Sequence, residues 1–290
     1  MKSSDQSQRF LFDEHPIRGQ HVSLDEAWRE IARQGELQGR GLVLLGEALV
    51  VVSLLVDTLK IDGSVTLQIR GKGPLELLVV EANSQHELRG MARQAGTIDE
   101  QMDLQQIFDS EYLVITIKTE GAEPHQGVAP LHGDKLSEAL ENYFATSEQL
   151  ATRFWLTCDA QNASGMLIQK LPGKFEDGDA WDRVLHLAST ISDEELQSLP
   201  LADLLHRLFH EETLRLFDPH SIAFSCTCSR ERTASMLLSL GRAELSAMLE
   251  QESEIAVSCE FCSASYSFDA IDIEQMFSDG GAVPPSDTTH

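Results

Sequence analysis

The sequence predicts an α+β protein: an N-terminal mixed α/β core domain, a helical linker and a small C-terminal domain built on four cysteines. Three observations lead there. Strand-like runs arrive in pairs with helical runs between the groups, the order of an α+β domain with a largely antiparallel sheet. A following segment is short, acidic and amphipathic. Four of the five cysteines then fall in two short stretches, CTC at Cys226–Cys228 and CEFC at Cys259–Cys262.

Taken in order, the N-terminus MKSSDQSQRFLFDEHP carries no apolar segment flanked by basic residues, so no secretory leader is expected. SLDEAWREIAR has helical spacing, with Ser23 and Glu26 placed for a capping box. Gly41 to Val56 is apolar except for Glu47 and Ser53, and Asp57 follows. A membrane span needs ~20 apolar residues and tolerates a central carboxylate poorly, so this run predicts a buried core helix. SVTLQIR, LELLVVE and YLVITIK are rich in β-branched residues and predict strands. RGKGP (Arg70 to Pro74) is a turn between two of them; a strand follows its glycines, whereas a phosphate loop needs a helix N-terminus there. KLSEALENYFATSEQLAT predicts a helix. RFWLTCD and SGMLIQKLP predict another strand pair, closing the core domain at about residue 175.

Residues 176–218 form the linker. Trp181, Val184, Leu185, Ala188 and Ile191 recur at helical spacing, Ser192 and Glu195 make a capping box, and Leu204, Leu205, Leu208 and Phe209 make another apolar stripe. Within 176–215 ten acidic residues face three basic ones. Helices this short are marginal in water and need a surface to pack on. Residues 219–290 hold the clustered cysteines, SYSF predicts a strand of a small ribbon, and PPSDTTH predicts a frayed tail.

Composition limits the function. The 290 residues are enough for one to three domains, and 42% hydrophobic content supports a sizeable core. The formal net charge of −25 repels polyanions, which argues against nucleic acid and anionic membranes as partners. Clustered cysteines without a secretion signal point to a reducing compartment and to metal binding or redox work.

Cys226, Cys228, Cys259 and Cys262 offer four thiolates from two local turns. Zn²⁺ accepts four sulfurs tetrahedrally, so one zinc per chain is expected, with no open position for a substrate. From Cys226 onward there are three basic residues and eleven acidic ones, which argues against a nucleic-acid-binding zinc module. Two readings remain. One is an interaction module with a permanent structural zinc. The other is a thiol switch: zinc keeps its ligands as oxidisable thiolates, and each pair is close enough in sequence for a local disulfide, Cys226–Cys228 and Cys259–Cys262. Structural zinc contributes roughly 10–16 kcal/mol, against a domain stability of about 5–15 kcal/mol, so losing the metal should unfold the module.

CTCSRER and CEFCSASYSFDAIDI resemble the zinc signature of the redox-regulated heat-shock holdase family of bacteria, the thirty-three-kilodalton heat-shock proteins. RGQHVSLDEAW, LQIRGKGPL, QGVAPL, YFATSEQL, SGMLIQKLP and LFHEETLRLFDP resemble the same family in the same order, over nearly the whole chain. The resemblance implies a cytoplasmic, ATP-independent chaperone and no enzyme. It implies Cys226, Cys228, Cys259 and Cys262 as zinc and switch ligands, and neighbouring disulfides on oxidation. Zinc release, unfolding of the zinc domain and linker, homodimer formation and capture of unfolding clients follow in that family. Ala151 stands where the family often has proline, and NASGML is less glycine-rich than usual.

Cys158 lies outside that pattern. On a strand it reads as a small buried apolar residue rather than a further redox partner or, with His186, an enzyme nucleophile. CEFC lacks the βαβ surroundings of a thioredoxin-type motif. His206 and His210, four apart, read as solvated residues of an amphipathic helix. Arg230 and Arg232 would offset thiolate charge, or Arg230 and Glu231 simply decorate a turn or helix start.

Overall fold

The computed structural model describes residues 5–35, 37–59, 61–173 and 177–279. Two compact units divide at Ser225/Cys226. In the first unit, β1 (Gln6–Phe12) and β2 (Ile17–Leu24) precede α1 (Glu26–Ala32) and the long α2 (Arg40–Leu59). Next come β3 (Gly63–Arg70), β4 (Leu75–Asn83), β5 (Glu87–Gln94), α3 (Leu104–Phe108), β6 (Tyr112–Thr119), β7 (His125–Pro130) and α4 (Leu136–Thr146). The strand pair β8 (Thr152–Cys158) and β9 (Ala163–Lys170) leads to three short helices, α5 (Ala180–Ala188), α6 (Asp193–Ser198) and α7 (Leu201–Phe209). The short strands β10 (Leu214–Leu216), β11 (His220–Ser221) and β12 (Ala223–Phe224) end the unit.

Among the described residues these strands form two sheets. One runs β10-β1-β2-β9-β8, with β11 also on β1; the other runs β12-β5-β4-β3-β6-β7. Every pairing in the unit is antiparallel except β12 with β5. Helix α2 packs against strands of both sheets. Its most apolar window is long enough to cross a bilayer, but 72% of that window is buried inside the protein, as the sequence predicts for a core helix. Asp57 near its end ties the sheets together: it accepts from Ser7 and, at 2.9 Å, from Gln20 of the first sheet, and it pairs at 2.8 Å with His86, which precedes β5 of the second.

The first sheet is apolar on both faces, and strand alternation sorts its residues. Val22, Leu24, Phe154 and Leu167 join the core around α2. Phe10, Phe12, Ile17, Met166 and Ile168 point the other way, onto Val184, Ala188, Leu196, Leu204, Leu208 and Phe209 of α5–α7. Phe10 lies across Gly19, its partner in register; a Cβ there would come within 1.9 Å of the ring. The surface that the acidic helices need is this second face. The three cations of residues 176–215 are committed to ion pairs, Arg183 with Asp177 and Glu212, Arg207 with Glu195, and Arg215, on β10, with Asp13.

The strands expected from SVTLQIR, LELLVVE, YLVITIK, RFWLTCD and SGMLIQKLP are present, as is the Ser192–Glu195 capping box. The N-terminal box is corrected. Ser23 belongs to β2, α1 begins at Glu26, and the carboxylate of Asp5 takes its place, accepting from the amides of Asp25, Glu26 and Ala27 at 2.6, 3.0 and 3.2 Å. The helix expected over KLSEALENYFATSEQLAT stops at Thr146. The expected boundary at residues 175/176 and the tail PPSDTTH lie outside the described residues.

Two predictions follow from this packing. Leu208→Ala removes a contact that holds α7 to the sheet and should cost about 2–5 kcal/mol locally. Hydrogen exchange should then speed up at 180–209 amides while α2 amides stay protected. The second concerns Glu47, which faces a cavity of about 490 Å³ also lined by Arg40, Lys135, Cys158, Asp193 and Leu196. Burial pushes its carboxyl up from 4.5 to about 7, with Asp193 adding to the shift. The folded state therefore holds a proton that the unfolded chain releases, and stability falls as pH rises from about 4.5 to 7 by up to ~3 kcal/mol. Glu47→Gln should flatten that slope in denaturant unfolding measured at pH 5 and pH 8.

Candidate metal centre

The second unit contains α8 (Arg230–Leu240), α9 (Arg242–Gln251), the hairpin β13 (Glu254–Ser258) and β14 (Ser265–Asp269), and α10 (Ala270–Asp279). Its core is small: Leu237, Leu245, Ile255, Phe268 and Ile273 are the buried members. Five buried side chains give little driving force for a domain of this size, where natural folds generally add metal or disulfides.

The cysteines sit at the two places where the chain turns. Cys226 and Cys228 precede α8, whose N-cap Ser229 accepts from the Arg232 amide at 3.2 Å. Cys259 and Cys262 lie in the turn of the hairpin. The Ser263 amide donates to the Cys259 carbonyl and the Cys259 amide to that of Ala264, both at 2.8 Å, and Ser263 takes the left-handed conformation at φ 57°. These bonds fold the CEFC turn tightly enough to present both sulfurs on one side.

All four sulfurs lie within 4.8 Å of one another, with Cys226–Cys259 at 3.7 Å and Cys228–Cys262 at 3.3 Å. Sulfurs around a tetrahedral zinc with Zn–S of ~2.3 Å stand about 3.8 Å apart. The donor set therefore fits a metal ion of that kind. Tyr266 on β14 adds a contact that the sequence did not reveal: its hydroxyl lies 3.2 Å from Cys228 Sγ. That hydroxyl, followed by Cys262, lowers the Cys228 thiol to about 7. Burial pushes the Cys226 thiol up and the Cys262 thiol to about 12. Four sulfurs this close cannot all ionise without a counter-charge, which a divalent cation supplies.

Arg230 and Arg232 both bond backbone carbonyls at the start of α8 and on the hairpin. Arg230 donates to the Ser267 carbonyl and pairs with Asp272, at 2.6 and 2.8 Å, and stacks over Phe268; Arg232 donates to the Thr227 carbonyl at 2.6 Å. Cys158 is half-buried, short of the full burial expected for it. It packs on the α2 core, where a Cβ on Gly46 would meet its sulfur at 2.2 Å, and burial drives its thiol far upward. His186 is exposed on α5 and is not among the residues lining the cavity that Cys158 faces. His206 and His210 are both exposed, with ring centroids 6.4 Å apart.

Fold and site define a class: an α+β protein whose small C-terminal unit gathers four cysteines as a metal-type centre. Comparison with known proteins goes further. Residues 5–269 match the family model described as Hsp33 protein. The chain is 46% identical to the 33 kDa chaperonin of Ectopseudomonas mendocina, over 99% of this chain and all of that protein. It is 43% identical to that of Pseudomonas aeruginosa over the full length of both. A crystal structure of the Thermotoga maritima 33 kDa chaperonin shares the fold, with a TM-score of 0.80 over 95% of this chain and 98% of that one at 24% identity. The chain belongs to the Hsp33 family of chaperones.

Cys259→Ser removes one corner of the cage. Elemental analysis should find the tight metal lost, and circular dichroism should show the α8–α10 unit unfolded; full metal retention would remove Cys259 from the ligand set.

Proposed function

We propose that this chain is a redox-regulated, ATP-independent holdase that captures unfolding proteins under oxidative stress in the cytoplasm. The observation that carries the reading is the cage of four sulfurs within 4.8 Å, in a chain of the Hsp33 family. Cys226, Cys228, Cys259 and Cys262 would hold one Zn²⁺, which stabilises the thiolates and cross-links the small unit when bound. Oxidation to Cys226–Cys228 and Cys259–Cys262 disulfides removes four thiolate ligands and releases the metal. With five buried core residues among those described, the unit then unfolds. The 176–218 segment, whose α7 ends at Phe209, loosens with it.

That loosening has a physical consequence in the first unit. Lifting α5–α7 uncovers Phe10, Phe12, Ile17, Met166 and Ile168, a contiguous apolar face of the kind that binds other proteins. Unfolded clients and a second copy of the chain are the partners this predicts; nucleic acid and membrane are not.

Light scattering from a thermally unfolding client tests the proposal, with zinc release read by a chelating dye. The reduced, zinc-loaded chain should protect poorly. After peroxide and mild heat, protection should rise in step with released zinc. Metal that stays bound, or that leaves without a gain in protection, favours a permanent structural zinc in an interaction module.

A further inference from the structure

The hydroxyl of Tyr266 lies 3.2 Å from Cys228 Sγ, within hydrogen-bond distance of a cage sulfur. The ring is held in place. Tyr266 pairs in register with Val257 on the hairpin and packs against the small core of the unit. Phe268, two residues along the same strand face, is fully buried in that core. The hydroxyl is thus aimed at the cage by the hairpin and needs no rearrangement to reach it.

We propose that Tyr266 is a positioning residue for the cage that restrains Cys228 against oxidants. The inference rests on the metal-site reading above. A metal-bound sulfur is a thiolate and has no proton to give, so the hydrogen bond must run from the tyrosine O–H to Cys228 Sγ. It engages electron density that Cys228 would otherwise direct at an electrophile. In the peroxide reaction the thiolate attacks one peroxide oxygen, an S–O bond forms, the O–O bond breaks, and the departing hydroxide takes a proton to become water. A second cage thiolate then attacks the sulfenic sulfur, an S–S bond forms, and the sulfenic oxygen leaves as hydroxide. Sulfur loses two electrons in all, and peroxide gains them. Tyr266 raises the barrier to the first of these steps at one corner of the cage, which sets a threshold on the oxidant.

The test is Tyr266→Phe in the full chain, which keeps the ring and its packing and removes only the hydroxyl. Wild type and variant are zinc-loaded and checked for one zinc per chain by elemental analysis. Zinc release to a chelating dye is then followed against peroxide concentration. A hydrogen bond to a charged group, felt in part in the transition state of a thiolate attack, predicts a roughly fivefold steeper dependence on peroxide in the variant. Peptide mass spectrometry should show Cys228 entering disulfide earlier than in wild type. The rate at zero peroxide should stay within about twofold, since the packing is intact.

An unchanged slope overturns the proposal. So does a rise confined to the peroxide-free rate, because that is structural loosening of the unit. A wild-type chain that takes up no zinc overturns the metal site itself, and this inference with it.

Discussion

The need to bury α2 on every side governs the first unit. A 20-residue helix with this run of leucine and valine cannot rest on one sheet, because an apolar surface that wraps the whole helix leaves no face for water. Two sheets cover it, and Asp57 at its polar end fastens them to each other. The solution has a structural cost elsewhere. A sheet short of polar residues on its inner face still has an outer face, and here that face carries Phe10, Phe12 and Ile17. A third layer is therefore required, and α5–α7 supply it.

That third layer is made from poor material for a permanent cover. The helices are six to nine residues long, shorter than helices that hold together unaided. Their acids outnumber their bases, and apart from Arg183 with the buried Glu212 the cations form exposed or half-exposed pairs that contribute little stability. What holds them is burial of Val184, Leu204, Leu208 and their neighbours against the sheet. The second unit shows the same economy, since five buried side chains make up its core among the described residues. A protein with one large, over-determined core and two lightly held parts can lose the latter while keeping the former, a division of stability between local and global opening.

How much of this the sequence displays depends on whether a residue's role is local. The strands β3, β4, β6, β8 and β9 are legible because β-branched runs report a local preference. The core helix is legible because its apolar run is long and interrupted only by Glu47 and Ser53. Strands β1, β2 and β5 are not, since QSQRFLF, IRGQHVSL and ELRGMARQ are rich in polar residues and lack simple alternation. Gln20 and Ser7 are buried in the bond network of Asp57, and Gly90 lies close beneath Leu49 of α2; neither fact has a local signature. Ser23 shows the converse error. Its spacing to Glu26 matches a capping box, but the cap is supplied from Asp5, a partner that only the folded chain brings near. The four cysteines are legible by spacing. Tyr266 is not, because SYSF says strand and nothing in it says that one hydroxyl reaches Cys228.

The five cysteines show why residue type alone does not assign chemistry. Cys158 and Cys228 are the same side chain in opposite surroundings. Around Cys158 lie the α2 core and the carboxyl groups of Glu47 and Asp159; burial first, then the two acids, disfavour a negative sulfur. Its thiol stays protonated, and a protonated thiol is a poor nucleophile and a poor metal ligand. Around Cys228 lie a hydroxyl donor and three further sulfurs that share the need for a cation. A cation held by the four sulfurs would keep them as thiolates, the form an oxidant attacks, whereas Cys158 stays a protonated thiol. Under the proposed function, this difference confines oxidation to the small unit and leaves the core that must survive it untouched.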